Sequence, residues 1–162
     1  MHRFFIVASA LCFCAATGNA QTKVNGTAQC GKPDPIHLVP VGDRPDHNMG
    51  VEQFKCAWTK PMEIGGDKSK DGVNTETAEV NRNTSKARGI HVATMESGDK
   101  FFVSYSGTAA SKEGAVTGVK GTWGFSGGTG KLKGIKGKGT YTCAPSGDAL
   151  ECKVEGEYEL AK

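Results

Sequence analysis

The end of the chain leaves little freedom of fold. Small or apolar residues recur at every second position, as Ile135, Gly137, Gly139, Tyr141 and Cys143, and again as Cys152, Val154, Gly156, Tyr158 and Leu160. Between them stand Lys136, Lys138, Thr140 and Thr142, then Lys153, Glu155, Glu157 and Glu159. A period of two marks strands with one buried and one solvated face. Residues 144–151 carry Ser146-Gly147-Asp148, which favours a turn. Placing Cys143 opposite Cys152 in an antiparallel hairpin sets Tyr141 against Val154, Gly139 against Gly156 and Gly137 against Tyr158. The same register sets Lys138 against Glu157 and Lys136 against Glu159. Each such charge pair contributes only about 0.2–1 kcal/mol. The stronger argument is that one register satisfies the apolar face, the charges and the thiols together. It predicts a Cys143–Cys152 disulfide.

The start of the chain reads as a secretory signal. Arg3 precedes an apolar run from Phe4 to Ala16, and small residues at Gly18 and Ala20 set up cleavage after Ala20. The apolar run is too short to span a bilayer. Cleavage would leave 142 residues, the size of one domain. It would remove Cys12 and Cys14 and leave Cys30, Cys56, Cys143 and Cys152. An even number in an exported chain implies two disulfides, so Cys30–Cys56 follows by elimination. No closely spaced C-x2-C pair suggests a zinc site. The remaining 19 basic and 17 acidic residues are too balanced to suggest nucleic acid. No later segment is apolar enough to insert in a membrane. The expected location is periplasmic or extracellular.

Residues 21–50 hold Pro33, Pro35, Pro40 and Pro45 among Gly26, Gly31, Gly42 and Gly50, and predict an irregular N-terminal arm. The domain proper is expected over 51–162. Phe54, Cys56 and Trp58 alternate with polar neighbours, as do Phe101, Val103 and Tyr105, and later Val119, Gly121, Trp123 and Phe125. Ile90 to Met95 reads as another strand, and 74–80 as a short polar one. The stretches 62–73, 81–86 and 108–114 read as loops, and Gly98-Asp99 as a turn. No ten-residue stretch shows helical periodicity. Six to eight strands with solvated outer faces need protected edges, and closure provides that fully. The expected class is therefore all-β, a small closed antiparallel barrel of about eight strands. Inward glycines at 121, 137, 139 and 156 would relieve crowding against large rings.

The chemistry-bearing residues are sparse. Gly130-Lys131 is followed by Leu132, not by the Ser or Thr of a phosphate-binding loop, and no helix follows. His47 with Asp43 and Asp46 is the one local metal candidate, without ligand spacing, so no metal site is assigned. His91 reads as a solvated or partly packed strand residue. Ser104 and Ser106 share a strand face but no nucleophile elbow exists. Lys131 and Lys133 are too few for a polyanion footprint. The predicted inward residues are apolar, aromatic or glycine, with no inward carboxylate pair.

The segment Gly124 to Tyr141, GFSGGTGKLKGIKGKGTY, resembles the Gly-Gly-Thr-Gly-x-Phe segment of the plant dirigent and allene oxide cyclase barrels and their bacterial relatives. Gly127, Gly128, Thr129 and Gly130 match, Leu132 takes the usual aromatic position, and Gly137 matches the following glycine. The Gly98-Asp99 turn and the aromatic strand Phe101 to Tyr105 precede it in the same order. The resemblance covers roughly 51–160. It implies an eight-stranded, allene oxide cyclase-like barrel with a central cavity. Family members include radical-coupling guides, a fatty-acid epoxide cyclase and proteins without known activity.

A barrel of this size packs solid or holds one small ligand. The expected function is non-catalytic binding of a small apolar ligand or a protein partner, with Trp58, Phe101, Tyr105, Trp123, Tyr141 and Tyr158 as ligand-binding residues and no cofactor. The alternatives are a cyclase, isomerase or dirigent-like enzyme working in the cavity, and a structural interaction protein with a solid interior.

Overall fold

The computed structural model describes residues 21–161; the expected signal at 1–20 lies outside the described residues. Ten strands follow one another: β1 (Thr22–Cys30), β2 (Ile36–Pro40), β3 (His47–Lys60), β4 (Glu63–Ile64), β5 (Asp67–Asn81), β6 (Thr84–Met95), β7 (Lys100–Lys112), β8 (Ala115–Gly128), β9 (Lys136–Ser146) and β10 (Ala149–Glu159). Eight of them form an antiparallel barrel in the order β3-β1-β10-β9-β8-β7-β6-β5, closed by pairing of β5 with β3. Closure removes the sheet edges that an open arrangement would expose. β2 runs beside the first half of β3, past the end of β1, and β4 pairs with the start of β5.

The terminal hairpin has the register that its alternation dictates. Cys143 opposes Cys152, Tyr141 opposes Val154, Gly139 opposes Gly156, Gly137 opposes Tyr158, and Lys138 and Lys136 oppose Glu157 and Glu159. Both disulfides, Cys30–Cys56 and Cys143–Cys152, are formed. Two such bonds are characteristic of chains that mature in an oxidising compartment.

The segment expected to be an irregular arm is a correction. β1 is a full wall strand between β10 and β3. Its inward face is Val24, Gly26, Ala28 and Cys30, buried between the outward Lys23, Asn25, Thr27 and Gln29. Small inward residues hide that alternation from a hydrophobicity reading. The prolines fall in the loops around β2, and Pro40 ends it. The stretch 62–73, expected as a loop, holds β4 and the first half of β5. The loops expected at 81–86 and 108–114 shrink to the turns Arg82-Asn83 and Glu113-Gly114. The hairpins there are built from Ser, Thr, Ala and Lys, so they carry little apolar period.

One end of the barrel is filled. Met62, Ile64, Met95, Leu132 and Ile135 are buried with Phe101, Trp123 and Tyr158. The Tyr158 hydroxyl accepts the Gly65 N–H at 3.0 Å, tying β10 to the turn after β4. The Gly127–Gly130 segment is part of this cap. Thr129 Oγ1 accepts the Lys100 N–H at 2.8 Å, and the Asp99 carboxylate accepts the Lys131 N–H at 3.1 Å. Gly130 has φ +49°, and a Cβ there would lie 2.0 Å from Asp99 Oδ1. The glycine cluster therefore locks the 98–99 turn against the β8–β9 connection.

Candidate functional site

The other half of the barrel is hollow. A cavity of about 280 Å³ lies above the filled end. Trp58, Phe101, Tyr105, Trp123 and Tyr141 line it, as do Phe54, Val103 and Val119. Tyr158, expected among them, is absent from the lining and lies in the filled end. Phe125 packs against the filled end, edge-on to Phe101 at 5.5 Å and to Trp123 at 5.1 Å. Trp123 Nε1 donates to the carbonyls of Thr140 and Glu155 at 3.1 and 3.2 Å, so this ring is fully partnered and fixed.

Glycines let the rings lie against the wall. A Cβ on Gly107 would come within 2.1 Å of the Tyr141 hydroxyl, and one on Gly121 within 2.5 Å of its ring. Gly107→Ala should therefore expel Tyr141 from its place and cost about 1–3 kcal/mol, the range for overpacking. A denaturation midpoint unchanged from the parent would show that the ring is not held there.

The polar part of the lining is where expectation and structure part. Glu52 and Glu76 face each other across β3 and β5, and both line the cavity. This is an inward carboxyl pair where none was expected. The signal was present: Glu52 has the parity of Phe54, Cys56 and Trp58, and extending that face by two residues finds it. Tyr105 donates its hydroxyl to Glu76 Oε2 at 2.7 Å. Burial, then a shared hydrogen bond and repulsion from Glu52, push the Glu76 carboxyl up to about 7. Burial likewise raises Tyr141 to about 12, and holds Tyr105 as a phenol. Near neutrality Glu76 thus keeps a proton that a solvated carboxyl would have lost.

His91 is the packed one of the two outcomes expected for it. It points into the cavity lining, not to solvent. Its Nδ1 meets Asn74 Oδ1 at 3.2 Å, which makes Nδ1 the protonated nitrogen. Asn74 in turn donates to Cys56 Sγ at 3.0 Å. Burial pushes His91 down to about 4, so the ring is neutral. Its Nε2 is then a bare acceptor, and that atom and the Trp58 Nε1 donor are both buried without a hydrogen-bond partner. The two rings meet edge-on at 6.2 Å. An unpaired buried polar group costs about 1–3 kcal/mol.

His47, by contrast, lies on the outer face of β3. It is held between Asp43 Oδ1 at 2.5 Å and Glu79 Oε1 at 3.1 Å, with Arg44 beside both carboxylates. His47 holds both carboxyls below the usual range, with Arg44 adding to the effect at Asp43 and Asn81 at Glu79, and the cluster is a surface ion network. Among the described residues no group of three or more His, Cys, Asp or Glu side chains is arranged to hold a metal ion. A second concavity is an open depression over the outer faces of β1, β9 and β10, lined by Lys23, Thr27, Lys60, Thr140, Lys153 and Glu155. Exposed apolar side chains gather on β2 and its neighbour, at Ile36, Leu38, Val39, Met49 and Val51.

No family model matches the chain. No curated protein matches it in sequence. Among solved structures, its backbone is similar to the crystal structure of a protein of unknown function from the DUF3224 family of Shewanella oneidensis MR-1. The two superpose with a TM-score of 0.52 at 15% identity, over 88% of this chain and 99% of that one. At that identity the likeness speaks for the fold alone.

Proposed function

We infer that this protein is exported to the periplasm or the cell exterior, where it binds a small, largely apolar ligand inside the barrel. The observation that carries the reading is a ring-lined cavity in which two buried ring nitrogens, Trp58 Nε1 and His91 Nε2, have no partner. Protein interiors rarely leave such atoms unpaired. A cavity of about 150 Å³ holds benzene. The larger volume of about 280 Å³ suits a compound of one or two rings carrying one or two polar groups.

The chain's two tryptophans both line the cavity, so its intrinsic fluorescence reports occupancy. Titration with 1-naphthylmethanol should give saturable binding by calorimetry and a change in tryptophan emission. Ala87→Phe, which adds a ring to the lining, should weaken binding by about tenfold or more while the fold is kept. Equal affinity in the parent and the Ala87→Phe protein would place the binding elsewhere. Native mass spectrometry of protein from its own host identifies the natural compound.

The cyclase or isomerase alternative draws on the Glu52/Glu76 pair, because a carboxyl near neutrality suits proton transfer. Its mark would be a cavity compound released in altered form. Kinship with the dirigent and allene oxide cyclase barrels is supported by the closed eight-stranded wall and by the place of Gly127–Gly130 where β8 ends and its connection to β9 begins. The partner-binding alternative draws on β2, an exposed apolar strand bordering the barrel. If β2 mediates self-association, ultracentrifugation should show concentration-dependent dimers that Val39→Lys abolishes; a monomer throughout removes that form of the reading.

A further inference from the structure

We propose that the cavity selects ligands carrying an ammonium group, seated between Glu52 and Glu76 with the ring body below it. The proposal rests on the cavity-binding reading and names its ligand class.

The argument begins with charge balance. Among the described residues, the cavity lining holds two carboxyl groups and no Lys or Arg. His91 is the one basic side chain there, and it is neutral and turned to Asn74. On the outer face the same protein treats carboxyls differently: Asp43 and Glu79 are both served by His47 and Arg44. The inner pair has no such protein cation. Buried acids without a counter-charge hold a proton instead, at the cost of poor acidity.

An ammonium group would replace that proton as the counter-charge. It offers up to three donors, and the carboxylates offer the acceptors. The neighbouring rings fit the same guest. Tyr105 and Tyr141 stand edge-on at 6.1 Å beside the pair, and aromatic faces attract cations most where water is excluded. A carboxylate ligand would meet repulsion from Glu52 and Glu76. The unpaired Trp58 Nε1 and His91 Nε2 lie lower in the same lining and are independent signs of a polar guest.

The groups that face Glu76 are few. β3 supplies Glu52, β7 supplies Tyr105 and β9 supplies Tyr141, while β6 presents Gly89 opposite it. Protonation of Glu76 therefore competes directly with the ammonium. Binding of a cation should strengthen as the pH rises through neutrality, provided the amine itself stays protonated.

The test uses three ligands of one shape with the oxidised, full protein: 1-naphthylmethylamine, 1-naphthylmethanol and 1-naphthoate. At about pH 8 calorimetry should give the amine an affinity about tenfold or more above the alcohol, with the acid weakest. At about pH 6 the amine's advantage should shrink, because Glu76 is then protonated. Glu76→Gln should abolish the advantage and leave the alcohol's affinity in place. Equal binding of amine and alcohol at the higher pH, or an advantage that survives Glu76→Gln, overturns the ammonium site and leaves the cavity reading standing. Failure of all three ligands to bind overturns both.

Discussion

Glu76→Gln should make stability climb with pH between about 4.5 and 6.5, a window in which the parent protein is nearly flat. The reason is a cancellation. Glu76 is raised from 4.5 to about 7 in the folded state, so within the window the folded protein holds a proton that the unfolded chain has lost. That difference alone makes stability fall as pH rises. His91 is lowered from 6.5 to about 4, so within the same window the unfolded chain holds a proton that the folded protein lacks. That difference alone makes stability rise. The two slopes oppose each other, and removing Glu76 leaves only the second. Over two pH units one uncompensated proton amounts to about 2–3 kcal/mol. Above neutrality the variant should also be the more stable protein, since it no longer ionises a buried acid. Urea denaturation across the window measures both effects. A variant profile parallel to the parent's would show that Glu76 and His91 do not titrate as their surroundings dictate.

Loss of the Cys30–Cys56 bond should cost more than loss of Cys143–Cys152, and it should open one seam of the barrel. The first bond closes a separation of 26 residues and the second a separation of 9. Loop-closure entropy gives about 3–4 kcal/mol for the longer loop and about 2.5–3 for the shorter. Local pairing widens the gap. β1 meets β3 through only four residue pairs, Thr27 to Cys30, with an irregularity between the first two. β3 meets β5 through eleven, from His47 to Ala57. Cys30–Cys56 sits at the end of the short seam, and all four cysteines line the cavity. The Cys143–Cys152 bond instead reinforces a hairpin already held by continuous pairing from Lys136 to Ser146. The double variant Cys30→Ala/Cys56→Ala should therefore show faster amide exchange along β1 and β2 and weaker ligand binding. Cys143→Ala/Cys152→Ala should leave exchange along β1 and β2 unchanged apart from its smaller loss of stability. Equal protection of β1 in the two variants would mean that the seam does not depend on its disulfide.

Local sequence determined the all-β class, the terminal hairpin to the residue and both disulfide pairings. A period of two, opposed charges and four cysteines constrain one another within a few residues. Most of the rings around the cavity were legible for the same reason, since Trp58, Phe101, Tyr105, Trp123 and Tyr141 share inward parity with their strands. Parity alone does not give depth, and so Tyr158 has the right face but lies in the filled end. The strand character of β1 was hidden because its inward residues are glycine, alanine and cysteine, small enough to pack against Trp58 and Met62 yet silent in a hydrophobicity pattern. The functional character of the site was decided only by the tertiary structure. A glutamate on a half-polar strand looks like any solvated residue until closure turns its face inward. Curling the sheet brought Glu52 and Glu76 side by side, set Tyr105 on one of them and left both without a cation. The ionisation of a carboxyl depends on its dielectric surroundings and on charges distant in sequence, and the closed wall supplies both.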